Sequence, residues 1–460
     1  MVVLVLVVSA VHGQQVSAPQ TKPEARPKNV IVMISDGMGP AAVTLTRLVS
    51  GRESLALDEY LIGTRRTSSQ DKMVTDSAAG ATAMSAGHLT KNDYVGVTAE
   101  GLPLGNVLEA ARFQKKMATG LVVKSRITHA TPAGYSAHVM DRDDESRIAS
   151  QQLGLHVDLM FGGGTDFFLP ASAGGKRTDG RDLLIEAQNS GYQVISTAVA
   201  LSGELRLPLL GLFSKDGLHY DIDRPTTQEP SLEDMTRKAL QLLSAQASGF
   251  FLMIEGSEID HTCHANDGGA LVPEVLGYDA TFAAAIEFAK RDGHTLVVST
   301  SDHETGGLSI IGGEWTAQKP GPLRLRANKA SAEAMVTMIT NGAPLELVMR
   351  DYAGITNVTR EEIAGYEAAT PGPSSGLQKR RIAAVVRIIN ARAGIRWAHT
   401  EHTAVDVNVY AYGPCQDLFR GSRTATWMAM GVAQLLGLDF EEATREARQR
   451  TKGDVGKPSP

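Results

Sequence analysis

The sequence predicts an α/β protein: a large central, mostly parallel sheet sandwiched between helices, with a helical insertion before the last strands. Three observations carry that expectation. Short, continuous apolar runs end repeatedly in a polar or glycine-rich turn, as strands buried on both faces do. Helical stretches lie between them and supply the crossovers that parallel strands need. The chain, at 460 residues with 42% hydrophobic and 21% charged, is long enough for one large domain of this kind.

In chain order, the apolar run Val2–Val8 is too short to span a bilayer. Followed by small residues, it reads as the core of a secretory signal peptide cut after Ala10, Gly13 or Ala18. No Lys or Arg precedes it, and a buried first strand is the competing reading. The expected organisation is a signal peptide over 1–18, a mobile leader over 19–28, a catalytic domain over 29–447 and a C-terminal tail over 448–460. No transmembrane anchor is expected in the mature chain, which would be secreted or periplasmic.

The first strand, Val30–Ile34, runs into Ser35-Asp36-Gly37. Thr119–Val123 then enters Lys124-Ser125, and Val157–Phe161 enters Gly162-Gly163-Gly164. Phe250–Ile254 enters Glu255-Gly256, and Leu296–Thr300 enters Ser301-Asp302-His303. Helices are expected over 104–116, 231–247 and 274–291. Residues 316–400 break the rhythm with Lys/Arg-rich helical segments, read as the insertion before a last strand at Val405–Ala411.

Composition narrows the function. The net charge is −6 with no long basic run, which argues against a nucleic-acid partner. Two cysteines, Cys263 and Cys415, exclude a disulfide-dense scaffold and are read as two buried free thiols rather than a bridge.

In parallel sheets ligands bind beyond the carboxyl ends of the strands, where the polar residues named above recur. Ser77 opens a run of small residues to position 86, expected as a tightly packed helix with Ser77 in its first turn. Unpaired N–H groups and the positive dipole end suit a phosphoryl oxygen there, although Asp76 or Ser77 could simply cap the helix. No Gly-x-Ser-x-Gly elbow surrounds the serine, so a nearby cation is the activator to look for. Candidate ligands are Asp36, Asp302, His303, His402, and Asp260 with His264 one helical turn apart. Asp36, Thr131 and Glu255 form an oxygen-rich set suited to magnesium. Arg142, between aspartates, could grip two phosphate oxygens with its planar fork or make an exposed salt bridge.

Taken together, Asp36-Gly-Met-Gly, Thr75-Asp-Ser-Ala-Ala, His129-Ala-Thr-Pro, Glu255-Gly, Asp260 with His264, Asp302-His303-Glu-Thr-Gly-Gly and His402-Thr resemble the alkaline phosphatase family. The motifs run in the family's order from residue 29 to about 420. The resemblance implies two zinc ions and one magnesium ion per chain. Asp260, His264 and His402 would hold one zinc; Asp36, Asp302 and His303 the other; Asp36, Thr131 and Glu255 the magnesium. It further implies Ser77 as nucleophile and Arg142 as the phosphoryl grip. The reaction would be hydrolysis of phosphate monoesters of broad specificity at alkaline pH, by in-line displacement through a phosphoserine, in a protein that is commonly a homodimer. His129 and His261 stand where other members carry Asp or Lys, so the third site could take zinc instead. A phosphodiesterase or sulfatase on the same fold is the nearest rival, but the C/S-x-P-x-R context of sulfatases is absent around Ser77. A non-catalytic metal- or phosphate-binding protein is the rival from another class.

Overall fold

The computed structural model describes residues 26–311, 321–369, 376–452 and 454–458; the expected signal peptide and most of the leader lie outside them. A ten-stranded sheet forms the centre. Its strands are β1 Asn29–Ile34, β2 Leu61–Arg65, β3 Ala118–Arg126, β4 Leu159–Gly163, β5 Gln193–Ile195, β6 Leu209–Leu212, β7 Phe250–Glu255, β8 Thr295–Thr300, β9 Val407–Tyr412 and β10 Gly421–Arg423. Their spatial order is β10-β2-β9-β8-β1-β7-β3-β4-β6-β5. All pairings are parallel except those of Val407–Tyr412, which runs antiparallel to both of its neighbours.

Alternation along the strands divides the interior in two, since successive side chains leave opposite faces. Ile31 and Met33 of β1 join the apolar layer on one face; Val30, Val32 and Ile34 join the layer on the other. Every residue of β1, β7 and β8 is buried, which is why these strands read as unbroken apolar runs.

The helices differ from expectation mainly at their ends. The first runs Val107–Lys115, because Asn106 caps it and Glu109 closes a capping box. The second ends at Leu243. The third begins earlier, at Gly268, and runs to Asp292 with Pro273 inside it. Gly268, Gly269 and Pro273 look like breakers, but the Asp267 carboxylate accepts hydrogen bonds from Gly269 N and Ala270 N and starts the helix there. Within the described part of 321–393 lie helices Ala332–Thr340, Leu345–Ala353, Arg360–Ala368 and Leu377–Ala393. Cys263 is buried, as expected, whereas Cys415 is only half-buried and sits in a left-handed turn after β9. Among the described residues no helix is long and apolar enough to cross a membrane.

Candidate metal and phosphoryl-transfer site

The three central strands β8, β1 and β7 are neighbours, parallel and in step, so their carboxyl ends emerge side by side. Glu255 is the last residue of β7, while Asp36 and Asp302 each follow their strand by two residues. Strands stand about 4.8 Å apart, so the three acids start from adjacent strand ends and converge over a few residues. Gly37 makes the turn after Asp36 possible. It adopts φ +75°, and a Cβ there would lie 2.7 Å from Asp260 Cα.

The Ser77–Ala86 helix is buried along its whole length. Its small residues let it back directly onto the site: a Cβ on Gly80 would meet Asp302 Cβ at 3.2 Å. Asp76 is the cap, accepting from Ala79 N, and Ser77 is the first helical residue. The cap is thus Asp76 and not Ser77, whose hydroxyl makes no capping bond to the helix. Ser77 Oγ lies 3.2 Å from His303 Nε2.

The other histidines are held by their backbone contacts. His402 turns Nδ1 to Thr75 O at 3.0 Å, and His264 turns Nδ1 to Thr400 O at 2.5 Å. A carbonyl only accepts, so each Nδ1 carries a proton and each Nε2 faces inward. The two Nε2 atoms are 3.1 Å apart, with Asp260 Oδ2 3.0 Å from that of His264. Asp260 and His264, on the short helix Glu258–His264, meet across one turn as the D-x-x-x-H spacing requires. Thr305 ties two of these ligand candidates together: its hydroxyl donates to Asp260 Oδ1 and lies 3.2 Å from His303 Nδ1.

Three overlapping clusters can hold a cation among the described residues: Asp260/His303/His402, Asp36/Asp302/His303 and Asp36/His129/Glu255. Their chemistry fits. Both Asp36 oxygens, Asp302 Oδ2, Glu255 Oε1 and Thr131 Oγ1 are buried and make no well-formed hydrogen bond, although His303 Nε2 lies 3.1 Å from Asp302 Oδ2. Uncompensated buried oxygens are costly, and a cation is the group that would satisfy all of them together. Burial, with the carboxylates of Asp302, Asp260 and Glu255 nearby, pushes the Asp36 carboxyl well above its usual range. Burial also raises Glu255 to about 7, against the pull of the Ser257 hydroxyl. Burial and the neighbouring His303 lower His402 to about 4, which keeps it neutral.

Arg142 spans the mouth. Nη1 donates to Asp76 Oδ2 at 3.0 Å, and Nη2 sits 3.0 Å from His129 Nε2. Burial and the Arg142 charge hold His129 well below its usual range. His261 lies beside it, ring centres 5.9 Å apart, but does not join the cation clusters. Its Nδ1 pairs with Glu258 Oε2 at 2.8 Å, and that carboxylate raises it to about 9. Sequence reasoning did not single out Glu258, Thr305 or Arg65. Arg65 is buried behind the site and donates to the carbonyls of Ser301 and Asp302 at 2.6 and 2.7 Å. The E-x-x-H spacing was a readable signal for Glu258; nothing local marks the other two.

A serine hydroxyl at a helix N-terminus, a forked cation and converging acids and imidazoles are the equipment expected of a metal-dependent hydrolase acting on anionic esters. The alkaline phosphatase family model matches residues 27–438. Alkaline phosphatase 4 of Bacillus subtilis is 38% identical over 435 residues, covering 91% of this chain and 90% of its own. The crystal structure of Thermus thermophilus alkaline phosphatase superposes with TM-score 0.82 at 29% identity, covering 96% of this chain and all of that one. The alkaline phosphatase of the Antarctic bacterium TAB5, in a variant with one histidine replaced by aspartate and Mg bound in its M3 site, matches with TM-score 0.67 at 26% identity over 90% of this chain and 99% of that one. The chain belongs to the alkaline phosphatase family, and it is a phosphatase.

Proposed function

We propose that this phosphatase hydrolyses phosphate monoesters of varied alcohols at alkaline pH through a covalent phosphoserine on Ser77. The observation that carries the reading is the Ser77 hydroxyl at the first position of a buried helix, 3.2 Å from His303 Nε2 and among the carboxylates of the cation clusters. The Arg142 fork grips two non-bridging oxygens of the ester, and the helix N–H groups add positive field. Ser77 Oγ attacks phosphorus in line; the Oγ–P bond forms as the ester P–O bond breaks, and the alcohol departs with a proton. A water molecule then cleaves the phosphoserine, releasing phosphate and restoring the serine. Asp260, His264 and His402 would hold one zinc ion, Asp36, Asp302 and His303 a second, and Asp36, Thr131 and Glu255 a magnesium ion; bound there, the cations supply Lewis-acid stabilisation of the entering and leaving oxygens.

His129 lies within ligand distance of Asp36 and Glu255 and adds a nitrogen donor, so zinc competes with magnesium for the third position. In the TAB5 relative an aspartate variant carries Mg in its M3 site. His129→Asp is accordingly expected to raise the magnesium-to-zinc ratio of the purified protein, read by elemental analysis; an unchanged ratio would refute the assignment. Export directed by the Val2–Val8 run and assembly as a homodimer belong to the same proposal. A processed N-terminus and a two-chain mass in solution would test them.

The direct test is turnover of a chromogenic aryl phosphate by native, chelated, metal-restored and Ser77→Ala protein. The proposal expects loss on chelation, recovery with zinc plus magnesium, and severe loss in the variant. Turnover confined to a diester or sulfate ester would leave the fold intact and overturn the substrate class.

A further inference from the structure

We infer that the C-terminal segment Asp454–Gly456 is a brace that sets the position of Arg142, and so tunes affinity for the phosphoryl group; this rests on the reading of Arg142 as the phosphoryl grip. Arg142 has no regular secondary structure of its own to hold it. The stretch leading to it is instead gripped from both sides. Val139 exchanges backbone hydrogen bonds with Val95, N to O at 2.9 Å in each direction. In an extended chain the next N–H points the opposite way. That N–H, of Met140, donates to Val455 O at 2.9 Å. Arg142 N then returns to the first side and donates to Asp93 O at 2.9 Å.

Gln151 locks the same register. Its amide pairs with both main-chain groups of His138, at 2.7 and 3.2 Å, and its Nε2 also donates to Asp454 O at 2.7 Å. Arg147 adds an ion pair to Asp454 while its Nε holds Asp144 Oδ2 at 2.7 Å. Val455 is buried. Gly456 adopts φ +72°, and a Cβ there would press on Asp144 Oδ2 and Arg147 Nε at 3.2 and 3.3 Å. Glycine is therefore favoured at this position, and a β-branched side chain there is strained. Removing the segment leaves Met140 N unpaired and frees one side of the strand that aims the arginine, while Asp76 and His129 still contact its fork.

Asp454–Gly456 thus acts as a positioning segment, through Arg142 and not on substrate. The test compares the full chain, a chain ended at Lys452, and full-length Gly456→Val, each metal-loaded, with inorganic phosphate as the probe. Misplacing a binding group is felt strongly, so the phosphate inhibition constant and KM should rise together by roughly tenfold, with kcat changed less than about threefold. The effect should vanish in an Arg142→Ala background, which a general loss of stability would not produce. Unchanged phosphate inhibition in either variant, or the same tenfold loss without Arg142, would overturn the inference. If the truncated chain does not fold, Gly456→Val, which keeps the chain intact, decides alone. Phosphate binding measured by calorimetry separates this outcome from a failure of the monoesterase reading, which would show as no turnover by the full chain.

Discussion

Replacing Arg142 by alanine removes a guanidinium fork that is already aimed. Nη1 is fixed on Asp76 Oδ2 and Nη2 faces His129, so little side-chain freedom is left to lose when substrate arrives. Hydrogen bonds to charged groups contribute about 1.5–3 kcal/mol each. A fork that shares its donors with Asp76 should then supply about 2–4 kcal/mol to the transition state, or roughly 30- to 1,000-fold in kcat/KM. The fold should hardly notice the change. Asp76 keeps its bonds from Ala79 N at 2.9 Å and Asp93 N at 3.1 Å, so the helix carrying Ser77 stays capped. Arg142→Lys keeps the charge without the fork and should fall between the two. Steady-state hydrolysis of an aryl phosphate, alongside inhibition by phosphate, measures this. A change of less than about threefold in Arg142→Ala, with unfolding unchanged, would refute the assignment of Arg142 to the phosphoryl group.

Other outcomes follow from the buried charges. Arg65→Met leaves the carbonyls of Ser301 and Asp302 without their shared donor, and should cost about 3–5 kcal/mol in denaturant unfolding of the metal-free protein; a cost under about 1 kcal/mol would show that the turn holds itself. The pH dependence comes from Glu255, raised to about 7, and from Asp36, also raised. Metal-free protein holds protons there, so cation binding at the Asp36/Glu255 position should weaken as pH falls through about 7 and should release protons, measurable by calorimetry in buffers of different ionisation heat. Because these folded values lie above the unfolded ones, the contribution of these two carboxyls to the stability of the metal-free fold should be lost as pH rises from the ordinary carboxyl range through 7, while the lowered His402 and His129 act in the opposite sense below about 6.5. The Glu255 share is read by difference: native protein should lose melting temperature relative to Glu255→Gln as pH rises through about 7, and a difference that does not change with pH would contradict the assignment.

The parts legible in the sequence were those where one local signal implied a global position. An apolar run ending in Asp36, Glu255 or Asp302 is both a buried parallel strand and a candidate ligand at its carboxyl end, so fold and candidate site were read from the same residues. Ser77 was legible because only small residues let a helix lie against Asp302. Short peripheral strands left little trace: β5 and β10 have three residues each, and Leu61–Arg65 carries a glycine and a basic end. Adjacent Arg65 and Arg66 look alike in the sequence, yet the first is buried and the second exposed, because alternation along β2 turns only one of them inward. Thr305 acquires its contacts from pairing of Glu304–Thr305 with His402–Thr403, a long-range register that no local pattern encodes. The start of the Gly268–Asp292 helix was hidden by residues that usually stop helices.

The central claim is that Ser77 carries the phosphoryl group. Metal-loaded protein would be mixed with an aryl phosphate under acidic conditions that slow hydrolysis of the intermediate, quenched in acid, digested and weighed by mass spectrometry. The account predicts the mass of one phosphoryl group on the peptide containing Ser77, absent from Ser77→Ala and from chelated protein. Rapid turnover with no phosphoryl group on that peptide at any quench time, or a Ser77→Ala protein that turns over at the native rate, would contradict it.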